Sequence, residues 1–183
     1  MSLMGPLNQS TPLRRPPGLL YSCLLAGILL AVAACGPKVI EGRPPFVGIS
    51  GMTLTDGALT TRYDISNQNG VEMTIERARI TVNVSTSELT RYEGNSRLVI
   101  DANSTEEIST RETPSDFTET LLRSLENGEL DSLSFDLEGR IQTLEDGELR
   151  IAQKGYLYRV PGRPGQFRSA VTQANELIRD DRL

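Results

Sequence analysis

The chain has 183 residues, a formal net charge of −5, two cysteines, and neither histidine nor tryptophan. Its acidity speaks against nucleic acid as a partner and against electrostatic docking on anionic lipid. The missing imidazole removes the commonest general base and the commonest neutral metal ligand.

Residues 1–34 have the outline of an export signal. Arg14 and Arg15 form a basic head, no acidic residue occurs before Glu41, and the apolar run GLLYSCLLAGILLAVAA ends in small residues directly before Cys35. The run falls short of the ~20 apolar residues of a spanning helix. Val32-Ala33-Ala34-Cys35 resembles a bacterial lipobox. The resemblance implies cleavage before Cys35 and acyl groups on its sulfur, each buried CH₂ contributing ~0.8 kcal/mol of membrane affinity. Gly36 rather than Asp follows the cysteine, which points to the periplasmic face of the outer membrane. Cys23 would leave with the signal, so the remaining domain has no disulfide, although an export compartment permits one.

Residues 35–45 read as a lipidated tether, with Pro37, Pro44 and Pro45 against regular structure. Strand signals begin at Phe46-Val47-Gly48-Ile49, and Thr55-Asp56-Gly57-Ala58 reads as a turn. Leu59, Thr61, Tyr63 and Ile65 then alternate with polar neighbours at period two. Asn67-Gln68-Asn69-Gly70 interrupts the alternation. Ala78, Ile80, Val82 and Val84 share a face, while Met73 and Ile75 sit in the opposite phase, which predicts a bulge near Glu76. Residues 97–101 and 105–112 read as two weaker strands.

A single helix follows, with Thr113 as N-cap, Pro114 at its first position, an apolar stripe of Phe117, Leu121, Leu122 and Leu125, and Gly128 at its end. Leu133, Phe135, Leu137 and Ile141 face inward on the strongest strand. Asp146-Gly147 suits a two-residue type I′ turn into LRIAQ. GYLYRV puts Tyr156, Tyr158 and Val160 on one face, read as core. Residues 161–183 read as a linker and an amphipathic C-terminal helix with Val171, Ala174, Leu177 and Ile178 on one side. About seven short strands with one inserted helix predict a mainly β fold, an antiparallel sandwich of immunoglobulin or fibronectin III type.

Ile65-Ser66-Asn67-Gln68-Asn69-Gly70-Val71-Glu72-Met73 and the helix TPSDFTETLLRSL followed by LSFDLEGRIQ resemble the late embryogenesis abundant type 2 family, also called the water stress and hypersensitive response domain. The family's Asn-Pro-Asn signature has Gln68 in place of its proline here. The likeness spans residues 46–160 and implies a stress-related, non-catalytic role. Independently of the family, Asn67 and Asn69 can bond nearby backbone groups and Gly70 can admit a reversal, so the stretch reads as a structural turn.

No S-x-x-K or histidine-activated nucleophile occurs. Glu145, Asp146 and Glu148 form a charged turn without the spacing of a calcium loop, and the abundant carboxylates read as a solvated face rather than a hydrolase pair. No metal, cofactor, catalytic residue or nucleic-acid partner is expected. The favoured expectation is a non-enzymatic, membrane-anchored envelope lipoprotein that protects or binds during desiccation or osmotic stress. The alternative is a periplasmic lipid-binding carrier or an assembly factor for an envelope protein complex. An apolar groove would favour the alternative.

Overall fold

The computed structural model describes residues 42–95 and 97–173. The expectations for the signal, for Val32, Ala33, Ala34 and Cys35, and for Ala174, Leu177 and Ile178 lie outside them. Among the described residues, nine strands and one helix follow in order: β1 (Phe46–Thr55), β2 (Ala58–Ser66), β3 (Met73–Val84), β4 (Ser87–Gly94), β5 (Leu98–Ile100), β6 (Thr105–Glu112), α1 (Asp116–Asn127), β7 (Leu133–Thr143), β8 (Gly147–Arg159) and β9 (Gln166–Gln173). The fold is mainly β and antiparallel, as the alternation requires.

The strand pairing forms one path, β4-β3-β7-β8-β9-β1-β2-β6, with β5 beside β3. It is a single curled sheet rather than two separately paired ones. The path comes close to closing into a barrel, since the Arg91 N–H on β4 donates to Glu112 Oε1 on β6 at 3.0 Å. The narrowest seam lies between β1 and β9, where only Met52↔Phe167 and Thr53↔Gln166 are paired.

The core lies inside this curl. Leu59, Tyr63 and Ile65 of β2, Ile80, Val82 and Val84 of β3, and Phe135, Leu137 and Ile141 of β7 are all buried. Phe135 stands opposite Gly155, whose missing side chain leaves room for the ring. The predicted bulge lies between Ile75 and Arg77 in the β3–β7 pairing. Met73 and Ile75 stay in the core before it, Glu76 and Arg77 are exposed at it, and Ala78 resumes the inward phase after it.

Several expectations are corrected. The described residues form nine strands rather than about seven. β4 carries no clean alternation, because a second register shift at Val82/Asn83 leaves Leu89 and Thr90 both buried. The segment 166–173 is a strand rather than the approach to a helix. Its Phe167, Ser169 and Val171 alternate with the exposed Arg168, Ala170 and Thr172, and β8 and β1 each offer it a pairing edge. β8 is one continuous strand with Leu157 inward, which turns Tyr156 and Tyr158 to the outer face. There Tyr156 is exposed, and the Arg168 guanidinium sits 5.7 Å from the Tyr158 ring centre.

The two Asp-Gly turns differ. Asp56 and Gly57 both have positive φ (52° and 74°), so the β1–β2 turn takes the left-handed pair of a type I′ hairpin. At the β7–β8 turn only Gly147 is left-handed, and Thr143 pairs with Gly147 across Leu144, Glu145 and Asp146. That turn is longer than the type I′ expectation. The Thr143 hydroxyl accepts from the Asp146 N–H and donates to the Gly147 carbonyl.

Helix α1 begins two residues later than expected. Ser115, not Thr113, is the N-cap, accepting from the Thr118 N–H, and Gly128 ends the helix at φ 80°. Leu122 and Leu125 are buried, each contributing about 1.5–3 kcal/mol. Phe117 of the expected stripe is exposed instead, and Thr118 takes the buried position, donating to the Glu88 carbonyl. The helix thus lies at the end of the sheet where β4 starts and β8 ends. The opposite end, where β2 finishes and β3 begins, holds the Asn67–Gly70 stretch.

Candidate functional site

The chain leaves β2 at Ser66 and must reach β3 at Met73 on the far side of a gap. Asn67 and Asn69 are 2% and 3% exposed, whereas Gln68 and Gly70 point to solvent. This alternation continues the period of β2 for two more residues, so the amides enter where apolar side chains would otherwise go. A buried amide without partners is costly, and both are fully engaged.

Asn67 Nδ2 lies 2.8 Å from the Val71 carbonyl and 3.1 Å from those of Ile100 and Asp101. Its Oδ1 accepts from the Asn69 N–H at 2.9 Å, the local closure of an Asx turn. Asn69 pairs with the backbone of Arg43 at two points: Oδ1 accepts from the Arg43 N–H and Nδ2 donates to the Arg43 carbonyl, both at 2.8 Å. Two backbone bonds complete the corner, from Asn67 N–H to Ser104 O at 2.8 Å and from Asn103 N–H to Asn69 O at 3.0 Å. Two side chains therefore join the chain before β1, the β2–β3 connection and the β5–β6 loop.

Gly70 takes no part in this bonding; it is exposed and its φ is not positive. The left-handed residue at the corner is Asn103, at φ 55°. Nothing in the sequence marked Arg43, Asn103 or Ser104 as partners, although Asn103 lies in the turn-forming run Asp101-Ala102-Asn103-Ser104.

The carboxylates of the β7–β8 turn diverge. Glu145 accepts from the Thr74 N–H through both oxygens at 3.1 Å, and Glu148 pairs with Arg150 at 3.4 Å. No group of three metal-ligating side chains occurs among the described residues. The Tyr63 phenol is buried and 3.5 Å from the Thr90 hydroxyl. Burial pushes its pKa well above the ordinary tyrosine value, the bond to Thr90 opposes this, and Glu112 and Glu88 add smaller upward pushes.

A small hollow opens beside the β4 and β6 edges, among Ile65, Ile75, Tyr92, Leu98, Ile108 and Arg97. Its volume of about 70 Å³ is far below that of a small-molecule pocket, roughly 300–1,000 Å³. Two larger, shallow depressions lie on the outer face of β3, β7 and β8. No helix among the described residues is long and apolar enough to cross a membrane.

No protein-family model matches the chain. No curated protein matches it significantly in sequence. Among solved structures it is similar to a crystal structure of a protein from Archaeoglobus fulgidus, at 13% identity and a TM-score of 0.42, over 67% of this chain and 98% of that one. It is also similar to the solution structure of a protein provisionally designated late embryogenesis abundant (LEA). That match has 12% identity and a TM-score of 0.28, over 88% of this chain and 84% of the other.

Proposed function

We propose that the chain is a non-enzymatic lipoprotein of the cell envelope. Acyl groups on Cys35 hold it at the periplasmic face of the outer membrane, and its β domain, of late embryogenesis abundant type 2 character, acts by protection or binding during desiccation or osmotic stress. The support begins with the apolar run and Val32-Ala33-Ala34-Cys35. It continues with Asn67-Gln68-Asn69-Gly70, which stands between two strands and resembles the family's signature.

The observation that carries the reading is the grip of Asn69 on Arg43. Arg43 lies eight residues beyond Cys35, a chain length that reaches at most about 28 Å when extended. A domain fastened at Arg43 would therefore work close to the bilayer that holds the acyl chains. The hollow of about 70 Å³ is too small for an acyl chain, so protection or surface binding is taken as the first reading and the carrier as the second.

Metabolic labelling with a fatty acid tests the anchor. The wild type should take up label and Cys35→Ser should not; equal labelling removes the lipoprotein reading. Deleting the gene should lower survival after drying or osmotic upshift and leave growth in rich medium nearly intact. Cys35→Ser should restore survival poorly. Full restoration by that variant would separate the stress role from the membrane.

A further inference from the structure

The outer face of β3, β7 and β8 carries an arrangement that the stress reading does not use. Arg79, Arg140 and Arg150 stand directly opposite one another on the three adjacent strands, with Glu93 of β4 opposite Arg79. Like charges directly opposed across strands disfavour a sheet. Arg79 is paired with Glu93 at 2.9 Å and Arg150 with Glu148 at 3.4 Å. Arg140, between them, makes no side-chain hydrogen bond or ion pair among the described residues.

The Arg79–Arg140 pair borders both depressions. On one side, a depression of about 210 Å³ adds Arg77, Asn95 and Gln142, with Glu93 and Glu148 at its rim. On the other, one of about 390 Å³ adds Arg150 and the Thr81 hydroxyl, with Glu138. The bulge at Glu76 contributes directly. Without its extra residue the phase of Met73 and Ile75 would send Arg77 inward, and with it Arg77 joins Arg79 outside.

We propose that this face binds a ligand with two adjacent oxyanion groups, a diphosphate being the simplest, which straddles the Arg79–Arg140 pair with one group in each depression. Each depression then supplies guanidinium forks, which match phosphate oxygens at two points, together with a neutral donor. The three glutamates leave the local balance close to neutral, so a single halide gains little. Only a ligand that engages several forks at once overcomes their repulsion. Binding also supplies the ion-pair partner that Arg140 lacks among the described residues. The proposal stands apart from the lipid anchor and from the family resemblance.

Calorimetric titration of the full chain with sodium pyrophosphate, at ionic strength held constant with sodium chloride, tests it. Saturable binding is expected, at least tenfold tighter than for inorganic phosphate. Arg140→Gln should weaken it at least tenfold without lowering the melting temperature. Arg140→Lys, which keeps the charge but not the fork, should weaken it too, and it carries the test if the glutamine variant does not fold. Arg111→Gln on β6 should bind like the wild type. Heat no greater than that of matched sodium chloride would overturn the proposal, as would equal weakening by Arg111→Gln. Capture of phosphatidic acid vesicles without any pyrophosphate binding would overturn it as well, by assigning the arginines to a membrane surface.

Discussion

The amides of Asn67 and Asn69 and the guanidinium of Arg140 are polar groups placed by strands of one sheet, yet they are used in opposite ways. The amides are buried and direct every bond to the protein's own backbone. Arg140 is exposed, flanked by two like charges, and makes no side-chain hydrogen bond or ion pair among the described residues. Losing a buried amide strands its former partners without water, whereas losing an exposed, crowded cation strands nothing. The first kind of polar residue should govern stability and the second should be free for a ligand.

The hydrophobic interior sets the upper end of the scale. Phe135→Asp should leave the domain unfolded, a loss above about 4 kcal/mol, because it drives a carboxylate into the core beneath Gly155. Its neighbour Asp136 forms an exposed pair with Lys154 at 3.1 Å. Asp136→Asn should change stability by no more than about 0.5 kcal/mol in denaturant unfolding. Similar loss in both variants would break the inward–outward assignment of β7.

Asn67→Ala comes next. It removes the donor to Val71, Ile100 and Asp101 and the acceptor of the Asn69 N–H, and should cost about 2–4 kcal/mol in urea unfolding. A variant of normal stability that fails to restore stress survival would instead make the corner a binding site, and would reverse the comparison.

Tyr63→Phe should cost no more than about 1 kcal/mol near neutral pH, since it gives up one long bond to Thr90. Its interest lies at high pH. The folded phenol has a pKa above the unfolded value of about 10. The stability that its neutral form contributes is therefore complete below pH about 10 and declines as pH rises beyond it, where only the unfolded chain readily loses the proton. Urea unfolding between pH 9 and 11 should show a steeper alkaline loss for the wild type than for Tyr63→Phe. Parallel curves would mean that Tyr63 is reached by water.

The smallest effect belongs to Arg140. Arg140→Gln should leave stability unchanged or raise it by up to about 0.5 kcal/mol at low salt, because it relieves repulsion from Arg79 and Arg150. A clear loss would show that the row supports the sheet and would blur the contrast with Asn67.

How much of this was legible in the sequence follows the same division. Period-two patterns announced β2, β3 and β7, and the phase change between Ile75 and Ala78 announced the bulge, because burial on one face of a strand leaves a local trace. The two inserted asparagines were also visible, but not their partners. Arg43, Ile100, Asp101 and Ser104 meet them only through pairing between distant segments. The arginine row was hidden for the same reason, since Arg77, Arg79, Arg140 and Arg150 look like ordinary outward residues until the strand register aligns them. β4 was missed because its bulge breaks the alternation. The strand at 166–173 was misread because its pairing edges lie far off in the chain, at β8 and β1.

Native-state hydrogen exchange at the corner tests the central contrast most directly. Among the described residues, the N–H groups of Arg43 and Asn69 are bonded only to the side chains of Asn69 and Asn67. If the corner belongs to the cooperative core, both should exchange with free energies close to those of β3 and β7, and both should lose protection in Asn67→Ala while Arg140→Gln leaves them unchanged. Exchange at unfolded-chain rates in the wild type, with β3 and β7 still protected, would contradict the account.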